Sequence, residues 1–572
     1  MKYVILFFIL FIFNFGQLYA QFVDTSFLTT FEKSHGIRSA TYDEAIGFYR
    51  HLANKYRTIR IDTIGKCDGG YDLNVVYFSK AGKRPNNITI LINNDIHAGE
   101  PDGVDACMML IKNVASGKVH IPENITLAVI PVYNIGGALN RNNTSRTNQN
   151  GPESYGFRAN AQNLDLNRDF IKQDAKETAA LQGLMRQLDP DIFIDNHVSD
   201  GADYQHIMTL LATQHNKLGG FCGDYMQNVF TPLLYKDMEE KGYDLIPYVN
   251  DFDNTPDKGW REFYDLPRFS SGYAALFQTL AYVPETHMLK PFKDRVMATY
   301  ELMLSFIYCA STNAQEIKSV RAKDKNRIVT NKLYPLDWEV DTNVADSVLF
   351  SGYEAVYKPS QVSNMLRLFY DRNKAYRKNV PFYNHFIPNK TITAPKAYIV
   401  PANWSNVINK LHVNNVKVDT IKNDTSLSVT VYHIDNYETV SKPYESHYLH
   451  KNVKVTANTI TKKFRKGDYI VRVNQEANRY IIETLEPTAP DAFFAWNFFD
   501  GILQQKEYFS DYVFEDRAAE ILENNKELKK LLEAKRTDSL FANSAAMQLD
   551  FVYRNSEYME TGYLQYPVFR VE

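Results

Sequence analysis

The stretch Ile88-Thr89-Ile90-Leu91-Ile92-Asn93-Asn94-Asp95-Ile96-His97-Ala98-Gly99-Glu100 decides the reading of the fold. An apolar, β-branched run stops at polar residues, passes a Gly-containing turn, and meets a helical pattern near 104–114. A short apolar run bounded by turn signals reads as a buried strand, and strands alternating with helices read as an α/β sheet. His97 and Glu100 stand three apart just past the strand. One imidazole and one carboxylate at that spacing can converge on a single ion, and zinc accepts both donors. Alone, the pair recurs by chance in many chains.

Working outward, the same alternation continues. Strand-like runs lie at 125–132, 191–195, 209–212 and 280–284. Helical patterns lie at 174–188, 216–241 and 292–310. The expected fold is α/β, a mixed central sheet covered by helices on both faces. The run at 191–195 leads into Asp195-Asn196-His197, which puts a second imidazole past a strand. Two His and one Glu, with a fourth position left for water, form a common catalytic zinc set. Asp195 is a candidate carboxylate for orienting an imidazole. Arg168, in Asn163-Leu164-Asp165-Leu166-Asn167-Arg168, offers a planar fork that matches a carboxylate. Glu285 follows the apolar run at 280–284, where burial raises a carboxyl pKa toward general-base duty. Open α/β sheets bind ligands beyond the carboxyl ends of their strands, and His97, His197 and Glu285 all fall there.

His97-x-x-Glu100, Asn167-Arg168, His197 and Glu285, in that order and spacing, resemble the carboxypeptidase A-like family of zinc carboxypeptidases. The resemblance runs from about Ser39 to Ala310. It implies one zinc ion per chain held by His97, Glu100 and His197. Glu285 would activate the zinc-bound water and pass its proton to the leaving amine. Asn167 and Arg168 would grip the free C-terminal carboxylate of a peptide substrate. An arginine ahead of the Asn-Arg pair would stabilise the oxyanion, with Arg158 the candidate and Arg146 the runner-up. Tyr264, or alternatively Tyr273, would be the family's tyrosine ahead of the glutamate. This sequence departs from the pattern in carrying Asn134-Ile135-Gly136-Gly137 where Asn-Pro-Asp-Gly is frequent. It also has no cysteine pair around the specificity region. Both departures leave side-chain preference open.

The remainder bounds the possibilities. With 64 Lys+Arg against 67 Asp+Glu, the net charge of −3 gives no support to a global nucleic-acid binder. The 44% hydrophobic content argues for a globular chain, and 572 residues argue for more than one core. Four cysteines at no metal-like spacing read as buried thiols. Lys2, the apolar run 4–13 and Ala20 read as a secretory signal over residues 1–20, so the mature chain is expected to be secreted or periplasmic. No later stretch has the roughly 18 apolar residues of a membrane span. Residues 21–315 read as the catalytic domain, the charged 316–332 as a linker, and 333–572 as a mixed α+β region of structural or accessory role. Strands are expected there at 396–400, 416–421, 427–433, 453–460 and 469–473, and helices at 405–411 and 518–532. The aromatic cluster 492–499 reads as core. Two alternatives remain beside the peptidase reading: a zinc peptidase acting on cell-wall peptides, and an inactive peptide-binding protein on the same scaffold. The oligomeric state is not encoded in any motif.

Overall fold

A computed structural model of the chain describes residues 27–79, 87–250 and 254–572; the secretory signal read at 1–20 lies outside them. Among the described residues, nine strands occupy the first half: β1 Ile59–Lys66, β2 Asp72–Phe78, β3 Ile88–Asn94, β4 Ile125–Ile130, β5 Ile192–Ser199, β6 Met208–Ala212, β7 Ile246–Pro247, β8 Trp260–Arg261 and β9 Leu280–His287. All but β8 form one mixed sheet in the order β1-β2-β4-β3-β5-β9-β6-β7. The central neighbours β4, β3, β5 and β9 run parallel, and the antiparallel pairs lie outside them. β5 is buried along its whole length. Covered on both faces, these parallel strands start as continuous apolar runs rather than alternations, and turn polar only toward their carboxyl ends. Helix Asp102–Ala115 packs against helix Phe292–Thr312, while Lys176–Leu188 lies against β1 and Ser270–Ala275 against β5 and β9. All four cysteines are free and buried.

The long helix expected at 216–241 is broken into Gly220–Tyr225, a π-turn at Met226–Phe230 and Thr231–Glu240. Gly219 and Gly220 both take positive φ and interrupt its start.

Ten strands follow: β10 Leu333–Val340, β11 Asp346–Pro359, β12 Leu366–Tyr383, β13 Phe386–Thr393, β14 Ala397–Val400, β15 Val418–Thr420, β16 Thr425–Thr439, β17 His450–Phe464, β18 Tyr469–Arg472 and β19 Phe569–Val571. Six of them make a sheet in the order β15-β18-β14-β19-β16-β17. β11 and β12 form a long hairpin whose base pairs with β8 of the first half. The helix expected at 518–532 is two, Asp511–Asn524 and Lys526–Lys535, because Asn525 leaves the helical region and caps the second.

The charged stretch read as a linker at 316–332 is mostly helix, Ala314–Thr330. Its charges are spent on the first half. Buried Arg321 reaches Asp191 at 2.7 Å and Asp189 at 2.8 Å, and Asp324 accepts the Cys222 N–H at 2.7 Å. Ile317, Val320 and Ile328 are buried on the same face of the helix as Arg321 and Asp324. One apolar core crosses the junction, with Tyr480 5.6 Å from Phe277 between ring centroids.

Candidate active site

The sheet order places the ends of β3, β5 and β9 side by side. His197 stands opposite Glu285 in the β5/β9 register, and Asn94 opposite Asn196 in β3/β5. Adjacent strands are about 4.8 Å apart, so residues at their ends share one site. After β3 the chain turns sharply at Asp95, whose φ is +66°, and delivers His97 and Glu100 to that edge.

His97, Glu100 and His197 are all buried, and one donor atom from each lies within 4.8 Å of the others. The two imidazoles present the same nitrogen. His97 Nδ1 is 3.3 Å from Glu100 Oε1, and His197 Nδ1 is 3.1 Å from Glu100 Oε2. Their Nε2 atoms are backed by carboxylates: His97 donates to Asp165 at 2.9 Å and His197 to Asp195 at 3.2 Å. A proton held at Nε2 leaves the Nδ1 lone pair facing inward, the arrangement that orients metal-binding imidazoles. His97 Nδ1 is buried with no hydrogen-bond partner. An orphaned imidazole nitrogen, a second imidazole and a carboxylate fit a zinc ion in donor type and number. Burial opposes ionisation of Glu100, but Arg146 and the two imidazoles outweigh it and hold the carboxyl well below its usual range. Burial likewise opposes a charge on His197, yet Asp195 and Glu100 raise its pKa well above the ordinary value. A dication would compete with that proton for the same lone pair.

Glu285 is half-buried at the end of the third strand. Burial pushes its pKa up to about 8, against the pull of His197, Arg146 and Arg158 and with Glu100 adding to the rise.

The two arginines separate. Arg146 is held on Glu100 at 2.7 Å, on the Val198 carbonyl at 2.8 Å and on Gln149 at 2.6 Å. Arg158 donates through Nε to Asp165 at 3.0 Å, and its Nη1 lies 3.7 Å from Glu100 with the side chain 44% exposed. Its loop is clamped onto the His97 turn by Gly156 N–H to the Ala98 carbonyl, 2.8 Å, and onto the helix Ile135–Leu139 by Phe157 N–H to the Gly137 carbonyl, 2.9 Å. A Cβ at Gly137 would stand 2.3 Å from the Phe157 carbonyl, so that approach requires glycine. The departure at 134–137 is therefore accommodated: Asn134 caps the short helix Ile135–Leu139 and donates to the Arg158 carbonyl at 2.9 Å.

Asn167 and Arg168 sit in a 3₁₀ turn, Leu166–Arg168. Asn167 Oδ1 accepts the Ser270 N–H at 3.0 Å, which leaves its NH₂ to offer a ligand. Arg168 lies over the Phe269 ring at 4.6 Å and donates through Nη1 to the Asn167 carbonyl at 2.8 Å.

Tyr264 is not brought to the cluster. Its hydroxyl donates to Asp337 at 3.3 Å and its ring stacks on Phe386. Tyr273 is buried, its hydroxyl on Asn414 at 2.5 Å. Tyr248 and Tyr204 both feel Glu285: burial, then Glu285, then Tyr204, Asp200 and Glu100 raise the Tyr248 pKa, and burial with Glu285 adding raises that of Tyr204. The sequence gives little signal for Tyr248, since β7 is only two residues long. Asp165 was also missed as a functional group; its one signal is an acid two residues ahead of Asn167.

Residues 46–203 match the family model described as "Zinc carboxypeptidase". Over that segment the chain matches a zinc carboxypeptidase domain. The matched segment contains His97, Glu100, Arg146, Arg158, Asn167, Arg168 and His197, and stops before Glu285. The chain is also similar to "Carboxypeptidase 2" of Trichophyton rubrum, 20% identical over 494 residues, covering 80% of this chain and 84% of that protein. The protein of the same name from Trichophyton equinum is 21% identical over 495 residues with the same coverage. Among solved structures, a metallo-carboxypeptidase from Burkholderia cenocepacia is 14% identical at a TM-score of 0.37, covering 48% of this chain and 70% of that one. Among the described residues, no helix is long and apolar enough to cross a membrane.

Proposed function

We propose that this chain, a metallocarboxypeptidase-type hydrolase by its zinc carboxypeptidase domain, is an exported enzyme that removes the C-terminal residue of peptides. The supporting observation is the triad of His97 Nδ1, Glu100 and His197 Nδ1, each imidazole backed at Nε2 by a carboxylate, with Glu285 in register beside His197. A zinc ion held by those three residues would lower the pKa of a bound water and polarise a carbonyl. Glu285 takes the water's proton at its carboxylate and returns it to the leaving amine. Its burial favours holding a proton between those two transfers. Arg158, with one face on Asp165 and Nη1 toward the cluster, is the donor for the oxygen that gains negative charge. Arg146 is tethered to Glu100 and fixes that ligand instead. Asn167 and Arg168 receive the substrate's terminal carboxylate. The intact donor set and general base speak against an inactive binding protein.

The test is metal analysis. Purified protein is expected to hold about one zinc, and His97→Ala or His197→Ala to lose it while keeping the fold. Wild-type protein that refuses zinc would end the reading.

A further inference from the structure

Glu445 belongs to the second half of the chain, at the tip of a two-residue hairpin. Tyr444 and His447 close it with a pair of backbone hydrogen bonds of 2.7 and 3.1 Å. Glu445 and Ser446 both take left-handed φ, +49° and +68°. Two successive left-handed residues make the tight turn that matches strand twist, and Asn and Gly usually fill it because a larger side chain is strained there. Here a glutamate holds the first place, and its carboxylate reaches out of the second half. Glu445 Oε2 accepts the backbone N–H of Asp165 at 2.7 Å. A second tie from the same tip, His447 Nε2 to Asp174 at 2.8 Å, anchors the hairpin next to that contact.

Asp165 is the hub of the site. Its Oδ1 accepts from His97 Nε2 and from the Asn167 N–H, both at 2.9 Å, and its Oδ2 takes Arg158. Asp165 also caps the turn that carries Asn167 and Arg168. The peptide that Glu445 holds is therefore the one that aims a metal-binding imidazole, the candidate oxyanion donor and the carboxylate grip together. The Asp165 carboxylate is itself offset by Arg158, Arg168 and His97.

We propose that Glu445 is a positioning residue of the active site, acting through Asp165, so that the second half of the chain is a working part of the zinc centre. The proposal rests on the zinc reading above. The experiment is zinc affinity by competition with a chromophoric chelator, on full-length protein, with the absorption spectrum of the cobalt-substituted protein as a report on ligand geometry. Glu445→Ala is expected to weaken zinc on the order of 10-fold, the low end of what outer partners of metal ligands cost, because it acts one residue further out. Glu445→Gln keeps an acceptor oxygen and is expected to stay near wild type. Glu445→Asp falls one methylene short and is expected to weaken zinc; this pair carries the test if the alanine variant loses its fold. His447→Ala cuts the other tie without touching Asp165 and is expected to keep both affinity and spectrum. Zinc affinity in Glu445→Ala or Glu445→Asp within twofold of wild type overturns the proposal. So does His447→Ala weakening zinc as much as Glu445→Ala, since hairpin docking alone would then explain both. A wild type that binds no zinc fails the site reading itself, a separate outcome.

Discussion

Replacing Arg168 by alanine removes a grip whose parts can be counted. One guanidinium N–H is spent on the Asn167 carbonyl at 2.8 Å, and Phe269 fixes the plane from 4.6 Å. The nearest carboxylate, Asp165, is 3.9 Å away, so the fork is not consumed by an internal salt bridge. The side chain is only about a quarter exposed, so a substrate carboxylate would meet it partly dry. A hydrogen bond to a charged group contributes about 1.5–3 kcal/mol. At about 1.4 kcal/mol per decade, losing one such contact costs roughly 10–100-fold in kcat/KM. Lysine restores charge but neither fork nor stacking plane, so Arg168→Lys should fall between wild type and Arg168→Ala. The assay compares one peptide as the free acid and as the C-terminal amide. Wild type should process the amide far more slowly, and Arg168→Ala should lose most of that discrimination. If wild type cleaves both at equal rates, or cuts within long chains, the grip is wrong and the exopeptidase reading goes with it.

Two further outcomes are expected. Glu285→Gln should keep zinc and fold but lose about 10²–10⁴-fold in kcat, the usual general-base contribution; near-normal turnover by stopped assay would move the base elsewhere. Asp105 is buried, and burial pushes its pKa up to about 7 despite the Ala40 N–H it accepts. Its unfolded value is about 3.9, so between those values the folded state holds a proton that the unfolded state has lost, and stability falls as pH rises at up to about 1.4 kcal/mol per unit. Asp105→Asn carries no such proton, so its urea midpoint should gain on wild type from about pH 4 and level off past about pH 7. Parallel curves at pH 5 and pH 8 would contradict this.

The site was legible where chemistry coincides with strand ends. The runs before His97, His197 and Glu285 are apolar because their strands are buried in the sheet, and the end of each run marks where the site begins, although β5 and β9 continue through His197 and Glu285 to Ser199 and His287. Asp165 and Glu445 were illegible for a different reason. Each works through a contact distant in sequence, and a solvated loop acid looks the same on paper. Tyr264 has a plausible separation from Glu285, but packing with Phe386 and Asp337 of the second half turns it away. The charges at 316–332 read as a linker, whereas in the helix Ala314–Thr330 buried Arg321 is held by Asp189 and Asp191 of the first half. The β11–β12 hairpin stands largely exposed on both faces, so its sequence lacks the alternation that marks a half-buried strand.

The measurement that tests the central claim most directly is terminal-residue release, by mass, from free-acid peptides incubated with the zinc-loaded protein, with and without a chelator. The account predicts products shortened by single C-terminal residues, abolished by the chelator and restored by added zinc. Products that arise unchanged in the chelator's presence, or the absence of any shortened product from the zinc-loaded chain, would contradict it.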